Sequence, residues 1–148
     1  MDNKNIKSLN SILEGEYMAI SSFDDLIEHA NDANIKSELQ KIQQNHRQHA
    51  SQISTEIQNL GGNPSRSIGI EGVVSETISN IKHIGTTDTT SYLKEAVQGE
   101  IIGINSVNEL IASNIVPTSS ALLNTILTEY QTNVNSLNNL INNSSTMQ

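Results

Sequence analysis

The sequence contains no cysteine and no tryptophan, only two prolines, and 3% aromatic residues in a chain of 148. Without cysteine neither a disulfide framework nor a thiolate metal site can form, so any metal must be held by His, Asp or Glu. So few aromatics, with no β-branched runs punctuated by turns, argue against sheets and leave helix as the favoured state. No stretch approaches the roughly 20 apolar residues that a membrane span needs. Residues 1–10 carry Asp2, Lys4 and Lys7 and lack the apolar segment of a secretion signal, so a cytoplasmic location is expected. Positive charge is also scarce. Eight basic residues against sixteen acidic ones give a net charge of -8 at pH 7, which repels phosphate backbones and anionic lipid surfaces. Neither nucleic acid nor membrane is an expected partner.

Basic residues stop at Lys94, and beyond it the charged side chains are Glu95, Glu100, Glu109 and Glu129 alone. The outward positions of this half are Asn, Ser, Thr and Gln. They suit either a plain solvated surface or a face packed into an assembly, where unpaired charge is costly to desolvate. A homo-oligomer, either a dimer or a larger assembly, is the expected quaternary state.

Apolar residues recur at steps of three and four. Ile6, Leu9, Leu13, Ile20, Phe23 and Ile27 predict a helix over about 4–30; Ile35, Leu39, Ile42, Ile53, Ile57 and Leu60 predict a second over 34–60. Gly61, Gly62, Asn63 and Pro64 stop the second, a left-handed cap followed by proline. Leu93 to Ile111 predict a third helix over 89–113, and Leu123 to Ile141 a fourth over 118–142, separated at Pro117. The connection over 61–88 is long and carries a weaker pattern, Val73, Val74, Ile78 and Ile81, read as a short helix across one end. Residues 143–148 are read as a frayed tail. Two tight hairpins joined by one long crossover define an all-α, ferritin-like four-helix bundle, here a single domain over 1–148.

The apolar stripes are interrupted by polar groups, each costing about 1–3 kcal/mol if it faces the core unsatisfied. Glu16 falls between Leu13 and Ile20, His46 and His49 between Ile42 and Ile53, and Glu100 between Val97 and Ile104. Antiparallel partners equally far from a tight turn share a level along the axis. Glu16 lies sixteen residues before Asp32, with His46 and His49 fourteen and seventeen after it. Glu100 lies sixteen before Val116, with Tyr130 and Asn133 fourteen and seventeen after it. One mid-bundle layer of two imidazoles and two carboxylates follows, a reasonable donor set for Zn²⁺, Fe²⁺ or Mn²⁺. The alternative is a pair of neutral core histidines hydrogen-bonded to the glutamates, satisfied without an ion. Glu129, one residue off the stripe beside Tyr130, and Glu56, two turns beyond His49, stand in reserve. The acidic run Asp24, Asp25, Glu28, His29 and Asp32 reads as a solvated face.

Glu16-Tyr-Met-Ala-Ile-Ser-Ser-Phe23 resembles the first metal-helix motif of the ferritin and rubrerythrin superfamily, and Asn45-His46-Arg-Gln-His49-Ala50 resembles the second, where that superfamily has Glu-x-x-His. More narrowly, residues 6–141 resemble a bacterial family of ferritin-like four-helix proteins of unassigned function. Its landmarks here are Leu60-Gly-Gly-Asn-Pro64, Gly69, Gly72 and Gly99-Glu100. The di-iron centre of the superfamily takes one Glu from each of two helices and Glu-x-x-His from each of the others. Position 46 is His instead, and the fourth helix offers Tyr130-Gln-Thr-Asn133. The resemblance therefore implies an incomplete oxidase or ferroxidase set. It fits better a single Fe, Mn or Zn ion on Glu16, His46, His49 and Glu100, with Tyr130 behind them, serving metal handling or protection from oxidants. The competing expectation is a non-catalytic assembly module of the spore-coat type with a vestigial site.

Overall fold

The computed structural model describes residues 3–67 and 89–146, which form four helices: α1 (Asn3–His29), α2 (Ala33–Asn59), α3 (Thr89–Ala112) and α4 (Pro117–Thr146). α1 pairs with α2 and α3 with α4, and the hairpins meet through α1 against α3 and α2 against α4. The short helix expected within the crossover, with Gly69 and Gly72, lies outside the described residues.

The direction of each helix follows from which of its ends share a core. Leu9 and Leu13 from the start of α1 pack with Ile53 and Ile57 from the end of α2, Val107 and Leu110 from the end of α3, and Leu123 and Ile126 from the start of α4. At the other end Phe23 and Leu26 join Leu39, Ile42, Leu93, Val97, Leu137 and Leu140. Thus α1 runs with α4 and α2 with α3, the arrangement that a single long crossover imposes. The buried residues keep a three-four spacing, although Ile101, Ile104 and Val134 of the sequence stripes are only partly buried and Leu110 and Leu140 take buried places, and between the two apolar ends lies a polar layer.

Local chemistry sets the helix ends. Asp32 caps α2, its Oδ1 accepting from the backbone N–H of Asn34 at 2.7 Å and of Ile35 at 3.2 Å. We expect Asp32→Ala to lower stability by about 1 kcal/mol in urea denaturation; an unchanged midpoint would mean that water caps this end equally well. Gly61 turns the chain with φ 87°, and a Cβ on Gly62 would stand 2.6 Å from Ile6 Cγ2, so the first glycine is needed for conformation and the second for close approach. Asn114 occupies the left-handed region (φ 60°) in the α3–α4 turn, a position asparagine tolerates.

Beyond α2 the chain is laid along the outside of α1. Asn10 Nδ2 donates to Asn63 O, Ser65 N–H to Asn10 Oδ1, Ser65 Oγ to Glu14 Oε2, and Tyr17 Oη to Ser65 O. One boundary differs from the sequence reading. α4 continues to Thr146, where a frayed tail was expected from 143. Anchored by Leu140, the helix gains a further turn because each added residue needs only propagation.

Candidate metal centre

The polar layer is assembled from one side chain per turn of each helix. α1 supplies Glu16, α2 supplies His46 and His49 from successive turns of one face, α3 supplies Glu100, and α4 supplies Tyr130 and Asn133; all are buried. Each completes the apolar spacing of its own helix, so the packing that buries the stripes also drives these groups inward.

His46 sits between the two carboxylates. Its Nδ1 is 2.7 Å from Glu16 Oε2 and its Nε2 is 2.7 Å from Glu100 Oε2. An imidazole can donate to both only as the cation. Burial by itself lowers the His46 pKa, but the charges of Glu16 and Glu100 and their hydrogen bonds outweigh it and push the value up to about 10. Burial raises the Glu16 pKa, and the charge and hydrogen bond of His46, with His49 close by, more than offset this, leaving the carboxyl below its usual range. Glu100 is held from the other side by Asn133 Nδ2 at 2.8 Å, and Asn133 Oδ1 accepts from Asn45 Nδ2 at 3.1 Å. With a carboxylate against each ring nitrogen, the geometry favours a charged His46 over the neutral histidine considered from the sequence.

His49 is different. It is 0% exposed, yet neither ring nitrogen has a hydrogen-bond partner, and Glu16 Oε1 also lacks one. Its Nδ1 stands 3.5 Å from Glu16 Oε2, and its Nε2 stands 3.5 Å from Glu129 Oε1. These are ion-pair distances without hydrogen-bond geometry. The ring is wedged by aromatic contacts instead, with centroids 5.9 Å from His46 and 5.3 Å from Tyr130.

Glu16, His46 and His49 each offer one ligand atom within 4.8 Å of the others. Glu100 is brought to the layer, but it stands on the far side of His46, against Nε2. Glu129, one-third exposed, reaches His49 from α4 although it lies off the apolar stripe. Glu56 is elsewhere, accepting from Thr118 Oγ1 and Ser119 Oγ at the start of α4, where its charge favours the helix N-terminus. In the acidic run, Asp32 is the α2 cap and Asp24 accepts from Gln43. Asn133, noted in the sequence only for its height, orients Glu100 through an amide that no spacing rule singles out.

Four helices with this crossover and a mid-bundle layer of carboxylates and imidazoles define a ferritin-like protein. The chain belongs to the family described as Domain of unknown function (DUF2383), whose model matches residues 4–113. No curated protein matches it in sequence. Among solved structures it is similar to a two-domain protein containing DJ-1/ThiJ/PfpI-like and ferritin-like domains from Anabaena variabilis. That match has a TM-score of 0.79 and 17% identity, covering 100% of this chain and 39% of that one, so this chain spans about two fifths of that protein. It is similar to a dodecameric thioferritin, the bacterioferritin-related protein of Bacteroides fragilis, with a TM-score of 0.79 and 20% identity, covering 99% of this chain and 90% of that one. A third is a ferritin-like, diiron-carboxylate protein from Bacillus anthracis, with a TM-score of 0.74 and 20% identity, covering 95% of this chain and 99% of that one. At these identities the likeness carries the fold. No described helix is long and apolar enough to cross a membrane.

Proposed function

We propose that this protein binds one divalent transition-metal ion in the bundle core, through Glu16, His46 Nδ1 and His49 Nδ1, and that it serves metal handling or protection from oxidants. The observation that carries this reading is His49, a fully buried imidazole with two unpaired nitrogens beside a carboxylate whose Oε1 is also unpaired. A buried polar group without a partner costs about 1–3 kcal/mol, and a cation supplies the missing partner for several at once. Spacing supports it. Donors about 2.1 Å from one tetrahedral ion stand roughly 3.4 Å apart; His49 Nδ1 stands 3.5 Å from Glu16 Oε2, whereas His46 Nδ1, at 2.7 Å from the same oxygen, must draw back from it to share an ion.

In this reading Glu100 holds the outer nitrogen of His46, as carboxylates commonly hold metal-bound imidazoles, and Glu129 stands 3.5 Å from the outer nitrogen of His49. Two histidines and one carboxylate with open positions form the donor set used for Fe²⁺, Mn²⁺ or Zn²⁺. A second ion lacks ligands. The places where di-iron proteins carry a further Glu and a Glu-x-x-His are occupied by His46, Tyr130 and Asn133. The ion competes with the His46 proton, so affinity rises with pH.

The likeness to a dodecameric thioferritin supports assembly into a homo-oligomer, and α4 offers a face of neutral side chains for it. On that face Thr125, Thr128 and Thr132 bond to carbonyls one turn back, so little polar capacity is left to desolvate.

Elemental analysis of protein purified without chelator, then loaded with Fe²⁺ or Mn²⁺ and desalted, tests the metal reading. We expect about one ion per chain, lost in His49→Gln while its circular dichroism is retained. Protein that retains no metal after loading would make the layer a purely polar core and leave the assembly module as the function.

A further inference from the structure

Between α1 and α3 a groove of about 360 Å³ runs inward from the surface to His46, Glu100 and Tyr130. Its walls are small or apolar, among them Gly15, Ala19 and Phe23 on α1 and Gly99 and Gly103 on α3. Ile102, also lining the groove, is 58% exposed and the only exposed large apolar side chain among the described residues.

The glycines show that this space is not a by-product of packing. Gly103 is needed, because a Cβ there would stand 3.0 Å from the Tyr130 ring. Gly15 and Gly99 are not: a Cβ at either meets none of the described residues within 4 Å. Glycine inside a helix is destabilising relative to alanine, yet both positions lie in helix interiors and both open onto the groove. What they do is keep it open down to the buried His46–Glu100 pair.

We propose that this groove binds a small, neutral, apolar organic molecule, seated over Gly15 and Gly99 with its inner end against His46 and Glu100. Volume and lining match small-molecule sites, which start at about 300 Å³ and are mostly apolar with a few polar groups at one end. Charge excludes an anion. Among the described residues no Lys or Arg lines the groove, its carboxylates are Glu95 and Glu100, and both nitrogens of His46 are already engaged. The pocket does not depend on the metal reading.

Fluorescence titration with N-phenyl-1-naphthylamine, a neutral apolar probe, tests it, with 1-decanol and decanoate as competitors and with EDTA present throughout. We expect saturable one-to-one binding, displacement by decanol, and at least tenfold weaker competition by decanoate. Gly15→Leu and Gly99→Leu each weaken the probe at least tenfold. Should the bulkier residues disturb folding, Gly15→Ala combined with Gly99→Ala leaves the helices intact, raises the melting temperature, and weakens binding at least threefold. Absence of saturable binding, or binding unaffected by filling the groove, would overturn the proposal. So would sedimentation showing that the wild type buries this face in a dimer that Gly99→Leu dissociates. Binding that survives EDTA while no metal is retained would fail the metal reading and leave this one standing.

Discussion

His46→Leu lowers the stability of the metal-free protein by about 3–5 kcal/mol, the usual cost of leaving buried charges without their partner. Both carboxylates that face His46 are buried, and each loses a 2.7 Å hydrogen bond together with the opposing charge. Asn133 still donates to Glu100, but Glu16 keeps only the 3.5 Å contact with His49. For a chain of this size the melting temperature falls by roughly 10–15 °C. Domains of this kind are stable by only about 5–15 kcal/mol, so much of the margin goes with one ring. The control is to remove the charges as a set. His46→Leu with Glu16→Leu and Glu100→Leu returns most of the stability, since apolar replacement of a whole buried ion cluster is often neutral or better. Thermal melts in EDTA decide it, and a single variant as stable as the parent would mean that water reaches the layer.

The metal-free protein also loses stability as the solution becomes alkaline. The folded His46 titrates near 10 against about 6.5 for an unperturbed histidine. A group whose pKa is raised by folding contributes fully below the unfolded value, and its contribution is lost as the pH climbs to the folded one. Stability therefore declines from about pH 6.5 to 10, by several kcal/mol in total, whereas ordinary surface charges change little there. Glu16, held below its usual value, acts in the opposite sense and loses its contribution as pH falls through the acid range. Urea midpoints between pH 6 and 10 test this, with His46→Leu as the reference, in which the alkaline slope disappears. An alkaline slope of equal size in that variant would assign the effect to another group.

The helices were legible because burial writes itself into the sequence at the helical period, and because Asp32, Gly61 and Pro117 mark ends by local chemistry. Height along the bundle was legible from counting outward from the turns. Glu16, His46, His49 and Glu100 stand together in one layer of the structure for that reason. Spacing does not encode which nitrogen faces which carboxylate. That depends on side-chain rotation, and it puts Glu100 behind His46 and sets His46 between two carboxylates. Glu129 was placed only in reserve because it lies one residue off a stripe, and its flexible side chain still swings to His49. The groove was invisible for a different reason. Periodicity registers the apolar groups that are present, whereas Gly15 and Gly99 act through space they leave empty. α4 runs on to Thr146 because a helix begun upstream needs only propagation to extend.

The central claim is that the layer holds one ion on Glu16, His46 and His49. Titration of the chelator-treated protein with Co²⁺, followed by visible absorption, tests it most directly. Bands that saturate at one equivalent, grow stronger from pH 6.5 to 8.5 and vanish in His49→Gln are the predicted result. Saturation at two equivalents, or a spectrum no different from free Co²⁺, would contradict it.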